Sequence, residues 1–96
     1  MKEIVLEGKK FVDSITTHEI LKDLFKFPDY YGKNLNAFWD CITDHAIDCT
    51  DDGPEKVIWK DFEVSQKSIG DEADILLELL QEATEKYGGL IIEVIP

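Results

Sequence analysis

The stretch FPDYYGKNLNAFWDCITD, residues 27–44, predicts an aromatic loop that leads into a short capped helix. Asn34 is a good N-cap, because its side-chain oxygen can accept a hydrogen bond from a free amide in the first turn. Apolar residues then recur at the spacing of one helix face, at Leu35, Phe38, Trp39 and Ile42. At about 100° per residue, a separate polar arc contains Asn36, Asp40, Thr43 and Asp44. The apolar face should pack on a core, and the polar arc is either simply solvated or a recognition surface.

The segments around this stretch alternate between strand and helix patterns. Apolar, β-branched runs predict strands at residues 3–7, 57–59 and 90–95. Amphipathic spacing predicts three more helices, the second only a short helix or turn, at residues 17–27, 62–69 and 71–87. Strands separated by helices pair in parallel, so we expect a single α/β domain with a three-stranded parallel sheet packed by three to four helices.

The first of these helices is predicted to begin with a capping box. Thr16 is expected as the N-cap, and Glu19 as the residue that returns its hydrogen bond. Ile15 and Ile20 stand at the two positions of a hydrophobic staple around this cap. His18 falls in the first turn, where we expect a surface residue rather than a ligand.

Residues 45–55 are rich in aspartate and are predicted to form a loop. The aspartates partly match a calcium-binding loop, but Lys56 and Trp59 stand at ligand positions nine and twelve, so no calcium site is expected. Cys41 and Cys49 are expected to be free thiols, because a disulfide-built secreted domain of this size usually has more cysteines. No Cys/His spacing indicates zinc, and we predict no metal and no cofactor.

The formal net charge is −11, and the acids are concentrated in two windows. Residues 34–55 and residues 68–85 each contain six acids and no lysine, and the chain has no arginine. Such a surface disfavours nucleic acid and anionic membranes as ligands. It favours a basic protein partner, because complementary charge accelerates encounter. The alternative is that the acidity only keeps the protein soluble.

The sequence contains no convincing set of catalytic residues. The sequence contains no nucleophile elbow and no glycine-rich phosphate loop. Asp40 and Asp44 form a carboxylate pair one turn apart, with nothing visible to separate their pKa values. Cys41 and His45 have the spacing of a nucleophile and its base, but no third group orients them. We therefore expect a protein that is not an enzyme.

The sequence also carries expectations about location. No apolar run approaches the ~20 residues of a membrane-spanning helix. The first residues, MKEIVLE, are charged on both sides of a short apolar run, which is not the pattern of a secretory signal. A cytoplasmic location is expected.

Three runs of the sequence resemble the barstar family: PDYYGKNLNAFWDCIT at 28–43, IWKDFEVS at 58–65 and QEA at 81–83. Members of this family are intracellular inhibitors of barnase-type ribonucleases. The first run is close to the family's Tyr-Tyr-Gly-x-Asn-Leu-Asp-Ala-Leu-Trp-Asp-Cys-Leu-Thr. The resemblance covers nearly the whole chain in order. It implies helices on three parallel strands with the first strand central, and a helix face with its preceding loop that plug a ribonuclease active site.

The resemblance also implies which residues touch the partner. The positions that match family contacts are Tyr30, Gly32, Asn34, Leu35, Trp39, Asp40, Thr43 and Glu82. Asp40 would take the place of an RNA phosphate, and Glu82 would reach a second cation. Tyr30 is expected to contact the partner and Tyr31 to pack inside, while Gly32 can also be read as a turn requirement.

Three features depart from the family pattern. Asn36 stands where the family has Asp, and Asp44 and His45 replace a Gly and a Trp. The segment 48–56 is longer and more acidic. These departures imply a differently shaped target, and Asn36, Asp44 and His45 complete the predicted binding set. We expect a monomer that inhibits a basic ribonuclease; the alternative is a non-inhibitory acidic immunity or regulatory module with another basic partner.

Overall fold

A computed structural model of the chain describes residues 2–52 and 54–96, and for residues 50–52 it describes only the backbone. Within this part of the chain, three strands alternate with four helices and one 3-10 turn. The elements in chain order are β1 (Glu3–Glu7), the 3-10 turn (Gly8–Lys10), α1 (Ser14–Phe25), α2 (Leu35–Asp52), β2 (Glu55–Lys60), α3 (Phe62–Ile69), α4 (Asp71–Tyr87) and β3 (Leu90–Val94). This order confirms the predicted α/β class.

The three strands form one parallel sheet in the order β1-β2-β3. β2 is paired on both sides, with Trp59 facing Leu6 of β1 and Val94 of β3. The expectation that the first strand is central is therefore wrong. β2 suits the centre because Val57 and Trp59 are at most 1% exposed, whereas β3 leaves Ile91 42% exposed.

Trp59 is the largest fully buried side chain and carries a polar group into the core. Its ring packs edge-on against Phe11 and Phe62, with centroids 5.5 and 4.8 Å away. Its indole N–H donates to the Ser65 hydroxyl at 3.0 Å, and that hydroxyl donates to the carbonyl of Gly8 at 3.1 Å. The relay matters because a buried polar group without a partner is costly.

Helix α1 begins earlier than predicted, and the predicted N-cap at Thr16 is wrong. The cap is Asp13, whose carboxylate accepts a hydrogen bond from the amide of Thr16 at 2.7 Å. Hydrogen bonds from Thr16 hold the pKa of Asp13 below its ordinary value of 3.8. Because the cap lies three residues earlier, Ile15 is inside the helix and 64% exposed, so the predicted staple with Ile20 does not form.

Helix α2 continues past the predicted end, to Asp52. The predicted loop at residues 45–55 is therefore mostly helix, and Cys49 lies within it. Ala46 and Cys49 extend the buried stripe of Ile42 at helical spacing, with Ala46 fully buried and Cys49 9% exposed. The aspartates of the calcium-like pattern lie on this helix, which has no loop to wrap around an ion, and their glycine falls outside the described residues.

The second half of the chain follows the prediction closely. α3 is the expected short helix, and α4 has the predicted bounds. Gly89, between α4 and β3, has a φ of +83°, and a Cβ there would lie 2.2 Å from the carbonyl oxygen of Ala46 on α2. A side chain would prevent this close approach of the chain to α2.

No helix in residues 2–52 or 54–96 has the length and apolar character needed to cross a membrane.

Candidate partner-binding surface

The loop before α2 is held by hydrogen bonds of its own. The amide of Tyr31 donates to the carbonyl of Pro28 at 3.0 Å. Asn34 caps the helix as predicted, since its Oδ1 accepts from the amide of Ala37 at 2.8 Å. Its Nδ2 donates to the carbonyl of Gly32 at 3.3 Å. One side chain therefore fixes the loop relative to the helix.

Gly32 is not the left-handed residue of this loop. Lys33 adopts a φ of +53°, whereas the φ of Gly32 lies outside the positive range. A Cβ at Gly32 would lie 3.3 Å from the side-chain nitrogen of Asn34 and 3.4 Å from the Cβ of Ala37. A side chain at this position would crowd the Asn34 cap by a few tenths of an ångström, and the turn-requirement reading is wrong.

The two adjacent tyrosines have opposite environments. Tyr30 is 86% exposed, whereas Tyr31 is 5% exposed. The Tyr31 hydroxyl lies 2.5 Å from Nδ1 of His18. Burial raises the pKa of Tyr31 above its ordinary value, and the nearby Cys41 and Glu72 raise it further. Tyr31 is a core residue, as predicted, and Tyr30 is accessible to a partner.

His18 links three elements from inside the protein, so its prediction as a surface residue is wrong. It is fully buried, and its Nε2 lies 3.1 Å from Oε2 of Glu72 on α4. The same oxygen accepts a hydrogen bond from the Ser14 hydroxyl at 3.0 Å. A neutral imidazole satisfies both contacts when Nε2–H donates to Glu72 and Nδ1 accepts from Tyr31. This chain of contacts ties the loop to α1 and α4.

Two open grooves meet at the start of α2. The first, of about 450 Å³, is lined by Ser14, Lys33, Asn34, Leu35, Asn36 and Glu72. The second, of about 470 Å³, runs between α2 and α4 and is lined by Leu35, Asn36, Trp39, Ile75, Leu79, Glu82 and Lys86. Because Leu35 and Asn36 border both, five predicted contact residues share one surface: Asn34, Leu35, Asn36, Trp39 and Glu82.

Trp39 and Glu82 are far apart in the sequence, and they line the same groove only in the folded chain. Trp39 is half-buried on α2, and Glu82 is exposed on α4. Lys86, one turn further along α4, places its ammonium group 5.4 Å from the centroid of the Trp39 ring. The groove therefore presents an indole, a carboxylate and a cation, and the carboxylate is the part that suits a basic partner.

The polar arc of α2 faces water. Asp40 and Asp44 are exposed one turn apart, and Thr43 is partly buried beside them. The Thr43 hydroxyl lies 2.9 Å from the carbonyl oxygens of both Trp39 and Asp40, and it can donate to either. Burial raises the pKa of the neighbouring Cys41 thiol, and the charges of Asp44 and Asp40 add to the effect. A thiol kept protonated in this way is a poor nucleophile.

His45 is drawn into the fold instead of being presented beside Asp44. Its Nε2 lies 2.6 Å from Oε1 of Glu55, and its ring packs edge-on against Phe25 with centroids 5.1 Å apart. His45 and Glu55 line a third groove, of about 340 Å³, and His45 borders neither of the two grooves described above. Glu55 is not among the predicted site residues. Residues 45–55 were predicted to form a loop, and a loop gives no reason to place His45 and Cys49 on one face next to Glu55.

Comparison with known proteins agrees with the resemblance seen in the motifs. The model of the Barstar family, described as "Barstar (barnase inhibitor)", matches residues 1–93. A protein of Bacillus subtilis (strain 168) named "Putative ribonuclease inhibitor YrdF" is 42% identical over 86 residues, which cover 90% of this chain and 89% of the relative. The chain therefore belongs to the barstar family.

Proposed function

We propose that this protein binds a basic, barnase-type ribonuclease and inhibits it by covering the active site with residues 28–34 and the adjoining face of α2. The observation that carries the proposal is the convergence of Trp39 of α2 and Glu82 of α4 on one open groove, with the exposed Asp40 next to Trp39 on α2. Membership of the barstar family supports the same role.

The proposed mechanism is electrostatic and steric. A ribonuclease binds RNA phosphates with cationic side chains, so a carboxylate held in a fixed position can occupy a phosphate's place. Asp40 meets this requirement because Phe38 and Ile42 are fully buried and fix the rotation of α2. Glu82 supplies a second carboxylate from α4. In this proposal the protein is a monomeric, cytoplasmic inhibitor without catalytic activity of its own.

The proposed contact set has an anchoring part and a rim. Tyr30 is the exposed aromatic of the loop, and exposed tyrosines are enriched at protein interfaces. Gly32, Asn34, Leu35 and Thr43 complete the surface around Asp40. At the rim, Asn36 and Asp44 are exposed and distinguish this chain from the family pattern, whereas the His45 imidazole is already bonded to Glu55. Target specificity should therefore depend more on Asn36 and Asp44 than on His45.

A binding and inhibition titration against a purified barnase-type ribonuclease tests the proposal. Asp40→Ala should weaken binding by at least ~2 kcal/mol, or about thirtyfold in Kd, because it leaves a cationic site of the enzyme without its partner. Glu63→Ala is the matched control, since Glu63 is exposed on α3 and borders neither groove at the start of α2. Equal binding by wild type, Asp40→Ala and Glu63→Ala would overturn the proposal.

The same titration separates the alternative function. The alternative, a non-inhibitory acidic immunity or regulatory module with another basic partner, predicts no inhibition of this ribonuclease and no dependence of binding on Asp40. The inhibition assay and the binding assay therefore need to be run on the same protein preparations.

A further inference from the structure

We infer that His45, Cys49 and Glu55 form a binding site for a transition-metal ion, for which Zn²⁺ is the best match. The imidazole nitrogen, the thiol sulfur and a carboxylate oxygen all lie within 4.8 Å of one another. Among the side chains that the structure describes, no other group of three histidine, cysteine or acidic residues comes this close. His45, Cys49 and Glu55 border neither groove at the start of α2, so the inference does not rest on the proposed function.

The fold builds this cluster from two elements. Because α2 extends to Asp52, His45 and Cys49 stand four residues apart on one helix face. Gly89 approaches the same stretch of α2, and a Cβ on it would lie 3.2 Å from the Cβ of Cys49. Glu55, the first residue of β2, completes the set with its carboxylate 2.6 Å from His45 Nε2. The ligands therefore bridge the end of a helix and the start of the central strand.

The donor set selects among metals. Imidazole with thiolate suits Zn²⁺ and related transition ions, whereas Ca²⁺ and Mg²⁺ require oxygen ligands. Tetrahedral zinc, with bonds of about 2.0–2.3 Å, places ligand atoms about 3.4–3.6 Å apart. When zinc binds, the longest distance between two of the three ligand atoms, at most 4.8 Å now, would shorten by roughly 1 Å. The distance from His45 Nε2 to Glu55 Oε1, now 2.6 Å, would lengthen by a little less than that. Water would fill the fourth position.

The surroundings favour a cation. Glu55 is 6% exposed, so its carboxylate is removed from most of the water that would otherwise stabilise it. The C-terminal end of α2 carries the negative end of the helix dipole, and its last turn contains no basic residue. The groove of about 340 Å³ beside His45 and Glu55 gives an ion access from solvent, although Lys2 and Lys26 also line it. A bound ion would fasten α2 to β2.

The test uses reduced, metal-free protein titrated with Zn²⁺ by calorimetry and with Co²⁺ by absorption spectroscopy. We expect one ion per chain, and a thiolate-to-cobalt charge-transfer band in the near ultraviolet. Cys49→Ser and Glu55→Gln should each weaken binding by roughly tenfold or more, because each removes one of three ligands. Cys41→Ser is the matched control, since Cys41 is a second thiol on α2 outside the cluster, and it should bind like the wild type.

Two results would overturn the inference. One is a Co²⁺ complex of the wild type without the thiolate band, which needs no variant and so does not depend on how a variant folds. The other is equal Zn²⁺ affinity in the wild type and in Cys49→Ser, which circular dichroism shows to be folded. Weak binding that is the same in all variants would mean that only surface carboxylates collect the ion.

Discussion

The hydroxyl of Tyr31 lies 2.5 Å from Nδ1 of the fully buried His18, and this contact fastens the loop before α2 to α1. Glu72 continues the connection to α4 from the other nitrogen of the same ring. The side chain of the neighbouring Tyr30 is, by contrast, 86% exposed. The loop is therefore anchored from inside while its outer tyrosine is exposed to solvent.

Tyr31→Phe should destabilise the protein by about 1–3 kcal/mol, because the buried Nδ1 of His18 loses its partner and gains no water. Tyr30→Phe is the control and should change the free energy of unfolding by less than ~0.5 kcal/mol, since the side chain is exposed. Urea unfolding of both variants measures the difference. Equal midpoints for the two would show that the Tyr31–His18 contact contributes nothing to stability.

The alkaline stability of the protein should depend on Tyr31. Its pKa is raised above the ordinary value of 10.0, so the folded state keeps the phenol proton where the unfolded chain has lost it. The unfolded state then binds fewer protons, and stability, complete below about pH 10, falls as the pH rises above it. Unfolding free energies measured from about pH 9 to pH 11 should fall less steeply in Tyr31→Phe than in the wild type. Parallel curves would contradict this assignment.

The cation in the groove between α2 and α4 opposes a basic partner. Lys86 lies over Trp39 beside Glu82, so Lys86→Gln should speed association with a basic ribonuclease by roughly two- to fivefold at low salt. Lys67→Gln, an exposed position on α3, removes the same charge outside this groove and should have a smaller effect. Stopped-flow association rates measure both. If the two variants accelerated binding equally, total charge alone would steer the encounter.

Salt should act on association far more than on dissociation. The net charge of −11 and the exposed Asp40 and Asp44 attract a basic partner over distances that ions screen, with a Debye length of about 10 Å at 0.1 M. Raising the salt concentration from about 0.02 to 0.5 M should slow association by roughly tenfold and change the dissociation rate much less. An association rate that did not respond to salt would exclude steering.

Substitution of Gly89 by alanine should destabilise the protein more than the same substitution of the adjacent Gly88. Gly89→Ala should cost about 3 kcal/mol or more, because its new Cβ would meet the Ala46 carbonyl in addition to the left-handed backbone strain. Gly88→Ala has open space around its Cβ and should cost only about 1–2 kcal/mol of that strain. Thermal and urea unfolding compare the pair. Equal losses would mean that α2 yields to the new side chain.

Much of this protein could be predicted locally, because the rules involved act within a few residues. The cap at Asn34 and the bounds of α4 are confirmed, since each depends on side chains within one or two turns of the same helix. The three strands and the α/β class follow from their alternation with helices. The cation-free acidic windows are read from the sequence in the same way, although what they bind is still a proposal.

The remaining features required contacts between residues far apart in the chain. His18 can be buried because its two ring nitrogens form hydrogen bonds with Tyr31 and Glu72. No sequence pattern within α1 indicates these two partners. The far part of α2, at Ala46 and Cys49, lies against Gly89, a contact made only once the chain has returned from α4. The same part of the helix joins His45 to Glu55. Periodicity identified which residues form elements, but burial and ion pairing at these sites arise only where separate elements pack together.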